Sequence, residues 1–144
     1  MSRETGKNTS AAPLCMEDRD NARPAPEELV RTEMTGAAIL VKSLEDIGVE
    51  YVFGYTGAAI LPVMDELGKS SIEIVVNSNE QSAAFSAAGY SRSSDKVGVA
   101  VVTSGPAITN TLTAVADSFA DSIPLLVIAG QVPEHKIGTD SFQH

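Results

Sequence analysis

The chain has 144 residues, 43% of them hydrophobic, and a formal net charge of -9. That is enough for one domain with a buried core and too little for two of ordinary size. The acidic balance argues against a nucleic-acid or anionic-membrane partner, since both attract Lys and Arg; the sequence also lacks an apolar run long enough to span a bilayer.

Residues 1–33 scatter Pro13, Pro24 and Pro26 among charges and few branched apolar side chains. Such a segment buries too little surface to offset its ordering entropy, so it reads as a disordered tail. A transit peptide is the rival reading. Glu17, Asp18, Asp20, Glu27 and Glu28 are too many acids for that pattern, and a cytoplasmic location is the default. The single cysteine, Cys15, excludes an internal disulfide and reads as an incidental thiol. His135 and His144 lack a metal-ligand arrangement and read as surface residues, and no metal site is expected in this chain.

From residue 34 onward helical and strand-like segments alternate. Thr35 is placed to cap a helix in which Ile39, Leu40, Leu44 and Ile47 recur at helical spacing, ended by Gly48. A short strand follows at residues 51–53, then a turn from Gly54 to Gly57. A second helix carries Ile60, Leu61, Met64 and Leu67 on one face. Residues 72–76 are β-branched and read as a strand, and residues 79–92 as an Ala-rich helix. Residues 97–102, broken only by Gly98, have the continuous apolar character of a strand covered on both faces. Ser104, Gly105 and Pro106 turn the chain into a helix over residues 107–119, and residues 125–129 form a last buried strand before a loop-like ending.

Repeated strand–helix units of this length predict an α/β fold: an open parallel sheet with helices on both faces and right-handed crossovers. Ligands of such sheets sit beyond the carboxyl ends of the strands. Four segments are therefore candidates, at residues 54–57, 77–80 and 103–106 and in the loop after Gly130.

Each turn has a bland reading beside a functional one. Glu80 follows a strand and opens a helix, so it could simply favour the helix dipole while Asn77, Ser78 or Asn79 caps the end. The structural reading is the favoured one on physics alone; the functional reading is a partly buried carboxyl that shares a proton with a ligand nitrogen. Gly105 allows close backbone approach and Pro106 suits a first helical position, which a plain strand-to-helix turn would also use. Neither a Walker loop nor a dinucleotide fingerprint is present. Gly54 and Gly57 could serve backbone geometry alone.

The order of the segments is more specific than any one of them. Residues 53–62, F-G-Y-T-G-A-A-I-L-P, are similar to the family segment F-G-Y-P-G-G-A-I-L-P. N-E-Q at 79–81 resembles H-E-Q, and A-G-Y-S-R at 88–92 resembles D/E-G-Y-A-R. T-S-G-P-A-I-T-N at 103–110 resembles T-S-G-P-G-A-T-N, and D-S-I-P-L at 121–125 resembles D-S-V-P-L. G-Q-V-P at 130–133 and I-G-T-D-S-F-Q at 137–143 complete the set. Residues 34–144 thus resemble the pyrimidine-binding domain of the acetolactate synthase large-subunit family, among the thiamine-diphosphate enzymes.

The resemblance implies a carboligase that decarboxylates pyruvate and adds a second 2-keto acid, in branched-chain amino-acid biosynthesis. It implies that Glu80 hydrogen-bonds the cofactor pyrimidine at N1′, favouring the tautomer that removes the thiazolium C2 proton. By position in the motifs, Tyr55, Gly57 and Pro106 line the pyrimidine pocket, and Phe142 and Gln143 lie on the substrate side. Thiamine diphosphate is the implied cofactor, while Mg2+ and FAD are expected only through domains that this chain lacks. A homodimer, or a partner chain carrying the diphosphate-binding domain, is expected to complete the site. The G-D-G marker of that domain is absent, and the domain reads as incomplete at its C-terminal end. Thr56, Ala58, Asn79, Ala107 and Ile108 depart from the family residues, and the two alanines add a Cβ where glycine is usual. The alternatives are a non-catalytic fragment or assembly module, another thiamine-diphosphate-dependent decarboxylase or carboligase, and an unrelated nucleotide-binding α/β domain.

Overall fold

The structure is a computed structural model and describes residues 33–143; the tail reading, Cys15 and His144 lie outside them. The element order is α1 (Gly36–Asp46), β1 (Tyr51–Gly54), α2 (Leu61–Leu67), β2 (Glu73–Val76), α3 (Glu80–Ser94), β3 (Gly98–Val102), α4 (Pro106–Ala120) and β4 (Leu125–Ala129). Short 3-10 turns precede α2 at Ala58–Ile60 and follow β4 at Glu134–Lys136.

The four strands form one parallel sheet in the order β2-β1-β3-β4. The chain leaves β1 toward β2 and then crosses back over β1 to reach β3. Crossovers of one hand that run in opposite directions put their helices on opposite faces. The packing agrees. Val41 and Leu44 of α1 and Leu67 of α2 meet Val52, Val99 and Val101 on one face. Ala84 and Ala87 of α3 and Ala114 of α4 meet Ala100 on the other, with Phe53 and Val127 beside them. Fully burying a side chain such as Val52 or Leu67 is worth about 1.5–3 kcal/mol, so the first face carries most of the apolar stabilisation.

The second face works by close approach. Ala83, Ala84, Ala87 and Ala88 are all fully buried, and a Cβ on Gly98 would run into the backbone of Ala87. The glycine that interrupts the predicted strand is where α3 lies against the sheet. The strand starts there, one residue later than expected.

Several sequence expectations need correction. Ile39 and Ile47 are exposed; of the predicted stripe Leu44 is buried, and Val41 joins it in the core. Leu61 is likewise exposed, leaving Ile60 and Leu67 as the buried pair around α2. The last strand is not buried: β4 is a sheet edge, and Leu126 faces outward with 38% of its surface accessible. Among the four strands only β3 is buried at every position; β1, which also has a neighbour on each side, alternates between buried and half-buried. Thr35 does cap α1, its Oγ1 accepting from the Ala38 N–H at 3.1 Å, and Gly48 follows with φ +80°.

Candidate functional site

All four strands end at one edge, and backbone hydrogen bonds carry the alignment into the loops beyond it. The Asn77 N–H donates to Gly54 O at 3.0 Å, Tyr55 N–H to Val101 O at 3.3 Å and Gly130 N–H to Val102 O at 3.0 Å. The order reverses between β1 and β3, so the crevice of the sheet opens between their turns. There Gly57 is packed on Thr103: a Cβ at Gly57 would lie 2.5 Å from the Thr103 Cβ. Thr103 is buried, and its Oγ1 has no hydrogen-bond partner among the described residues.

Glu80 opens α3 after β2, at the same carboxyl edge of the sheet. The end of the helix is capped by its neighbour, because Asn79 Oδ1 accepts from the Ser82 N–H at 2.8 Å. Capping therefore does not occupy the Glu80 carboxyl. Its Oε2 accepts instead from Asn110 Nδ2 at 3.0 Å, across the gap between α3 and α4. The side chain is half-buried. Glu80 also sits where the N-terminal end of the helix dipole favours a carboxylate.

The other predicted residues fall around the same edge without forming one cluster. Tyr55 is 40% exposed. Pro106 opens α4 and lines a shallow cavity of about 390 Å³ with Gly105 and Gln131. Gly105 has φ +63°, and a Cβ there would lie 2.8 Å from the Cα of Gln143. The C-terminal segment thus folds back onto the turn before α4. Phe142, 85% exposed, and Gln143 line a larger cavity of about 530 Å³ together with Ala58, Ser104 and Lys136. Glu80 and Tyr55 do not line that cavity.

Residues 34–144 match the family described as "Thiamine pyrophosphate enzyme, N-terminal TPP binding domain". The chain belongs to that family. Among curated proteins it is 48% identical over 110 residues to "Acetolactate synthase isozyme 2 large subunit" of Escherichia coli (strain K12), covering 76% of this chain and 20% of that protein. It is 45% identical over 126 residues to "Acetolactate synthase" of Mycobacterium avium, covering 85% of this chain and 20% of that protein. "Acetolactate synthase 3, chloroplastic" of Brassica napus is 47% identical over 123 residues, 85% of this chain and 18% of that protein. The chain therefore spans about a fifth of the length of these relatives.

Within this TPP-binding domain the departures from the family motifs cause no backbone conflict. None of Thr56, Ala58 and Ala107 has a positive φ, so the added Cβ atoms sit on ordinary backbone. Ala107 is buried in the α4 packing, and Ala58 faces the larger cavity. Asn79, in place of histidine, is the helix cap.

Sequence reasoning missed Asn110 as a site residue. Its signal was present, since it closes the 103–110 motif one turn beyond Pro106, but its partner lies thirty positions earlier. Lys136, which lines the larger cavity, lies in a stretch between two motifs and was not singled out by the sequence. Among the described residues no group of three or more His, Cys, Asp or Glu side chains gathers to hold a metal, and no helix is long and apolar enough to cross a membrane.

Proposed function

We propose that this chain supplies the pyrimidine-binding half of a thiamine-diphosphate site in an acetolactate synthase-like carboligase. One observation carries the reading. Glu80 is a half-buried carboxylate at the carboxyl edge of a parallel sheet, relieved of capping by Asn79 and held on one oxygen by Asn110.

The residues suit the pyrimidine half of the cofactor. Asn110 is the side-chain donor that Glu80 has, and it engages Oε2, which leaves Oε1 for a ring nitrogen. The tight seat of Gly57 on Thr103 keeps the floor of the crevice at backbone level. In this reading Glu80 holds a proton between its carboxyl and N1′, a role suited to a carboxyl fixed in orientation. Tyr55, Gly57 and Pro106 border the ring, and Phe142 and Gln143 face the substrate. When bound, the cofactor supplies the carbanion stabilisation that side chains cannot provide.

The substrates in this reading are pyruvate and a second 2-keto acid. Mg2+, the diphosphate contacts and FAD are assigned to other domains of such an enzyme, and a homodimer or a partner chain completes the site. Assembly is supported by α4, where Ile108, Leu112, Val115 and Phe119 form one exposed apolar ridge, with Phe119 87% accessible. A ridge of that kind on a helix marks a protein contact. The occupant assigned to it is the subunit that completes the cofactor site.

The test is turnover of pyruvate to acetolactate by this chain mixed with a partner carrying that domain, with magnesium and thiamine diphosphate. The expected result is activity that needs both chains and disappears with Glu80→Gln. Activity unchanged by Glu80→Gln refutes the role of the carboxyl. Binding to the partner with no turnover in any mixture favours the assembly-module reading instead.

A further inference from the structure

The described residues include five cations, and four of them are paired with carboxylates. Lys42 meets Asp46 at 3.2 Å, Lys69 meets Asp65 at 2.7 Å, Lys96 meets Glu50 at 2.6 Å, and Arg92 bridges Asp117 and Asp121 at 2.9 and 2.7 Å. The fifth, Lys136, has no carboxylate partner among the described residues. It is also the one charged side chain lining the cavity of about 530 Å³ beside the candidate cofactor site.

Its backbone is well held. The Lys136 N–H donates to Pro133 O at 2.8 Å, and its carbonyl accepts from the Thr139 N–H at 3.2 Å and Thr139 Oγ1 at 2.7 Å. Around it the cavity offers neutral hydrogen-bonding groups from Ser104, Ser141 and Gln143, and apolar walls from Ala58, Val132 and Phe142. In a chain of net charge -9 an unpaired cation in a concave, mostly apolar site is a local attractor for anions.

We propose that Lys136 binds the carboxylate of a small 2-keto acid in this cavity and so selects charged over uncharged keto substrates. The chemistry favours a carboxylate over a phosphate. One lysine balances a monoanion, whereas a phosphate dianion would leave charge unmatched against neutral amides and hydroxyls. The cavity exceeds what one such acid fills, which suits a vestibule that gathers substrate next to the cofactor. This inference rests on the carboligase reading for its physiological meaning, but its binding event involves this chain alone.

The experiment is a titration of the full chain with pyruvate at low salt, followed by amide chemical shifts. Inorganic phosphate and the uncharged methyl ester of pyruvate serve as controls. Pyruvate is expected to shift residues around Lys136 and Gln143, and Lys136→Met to weaken that binding about tenfold, with Lys136→Arg retaining most of it. Equal binding by Lys136→Met, equal binding of the methyl ester, or stronger binding of phosphate overturns the proposal, as does the absence of any shift at millimolar pyruvate. Glu80→Gln separates the two readings. It should leave pyruvate binding at Lys136 intact while impairing the thiamine-diphosphate site, so either proposal can fail without the other.

Discussion

Asn110 Nδ2 donates to Glu80 Oε2 at 3.0 Å, joining the first turn of α3 to the second turn of α4 across the mouth of the sheet. The contact does two things. It fixes the rotamer of the Glu80 carboxylate, and it couples that acid to the helix whose start borders the neighbouring cavity. Replacing Asn110 with Ala frees the carboxylate to turn toward water. Because Asn110 is exposed, the cost in stability is small, less than about 1 kcal/mol, whereas cofactor affinity falls more steeply. Parallel urea melts and thiamine-diphosphate titrations of Asn110→Ala check that split.

Two glycines give opposite outcomes for the same added methyl group. At Gly57 a Cβ meets the buried Thr103 side chain at 2.5 Å, with no flexible side-chain end to yield. Gly57→Ala should therefore destabilise by about 1–3 kcal/mol, as overpacking does. Gly89 lies within α3 with nothing near its Cβ position. Gly89→Ala should stabilise by about 0.5–1 kcal/mol through helix propensity. Denaturant midpoints of the two variants read both effects.

Glu45 ties the end of α1 to the segment before β2. The Ser71 N–H and Oγ donate to its Oε1 at 2.9 and 3.1 Å, and these bonds hold its carboxyl below the ordinary value of 4.5. Glu50 is lowered too, first by its hydrogen bond to Lys96. A lowered folded pKa gives stability that is present above the unfolded value and is lost as pH falls through the folded one. The melting temperature should thus be flat from neutral pH down to about 5 and fall below it. In Glu45→Gln that acid-side loss should be shallower. Thermal melts across the acid range distinguish the two.

The apolar ridge on α4 predicts a clean separation between fold and assembly. Phe119 is almost fully exposed, so Phe119→Asp should leave the melting temperature nearly unchanged, within about 0.5 kcal/mol of stability. It should weaken association with a chain bearing the diphosphate-binding domain. Light scattering of the mixture, with and without the substitution, measures it.

The sequence made the sheet legible because β-branched runs, helix caps and turn glycines all pointed the same way. Thr35 and Gly48 marked the ends of α1, and the apolar run after Gly98 gave the central strand. What failed was what depends on position in the assembled sheet. The apolar run 125–129 looks like an interior strand, yet among the described residues β4 is a sheet edge, and no local pattern encodes which strands pair. Ile39, Leu44 and Ile47 fit one helical stripe, but of these only Leu44 is buried, and the face toward α2 and the sheet runs through Leu44 and Val41.

The site was legible to a different degree. Motif order put Glu80 at a helix start after a strand, and α3 does begin there, at the carboxyl edge of the sheet. It could not supply Asn110, because a hydrogen bond between residues thirty apart exists only once α3 and α4 pack side by side. Nor could it join Gly105 to Gln143, which meet only because the final segment folds back. Lys136 carried no signal at all, since what marks it is that every other described cation already has a carboxylate.

The most direct measurement is equilibrium binding of thiamine diphosphate to the assembled protein, set against an analogue with carbon in place of N1′. The unsubstituted chain should bind the cofactor at least about tenfold more tightly than the analogue, and Glu80→Gln should erase most of that preference. Equal preference in both proteins would contradict the assignment of Glu80 to the pyrimidine ring.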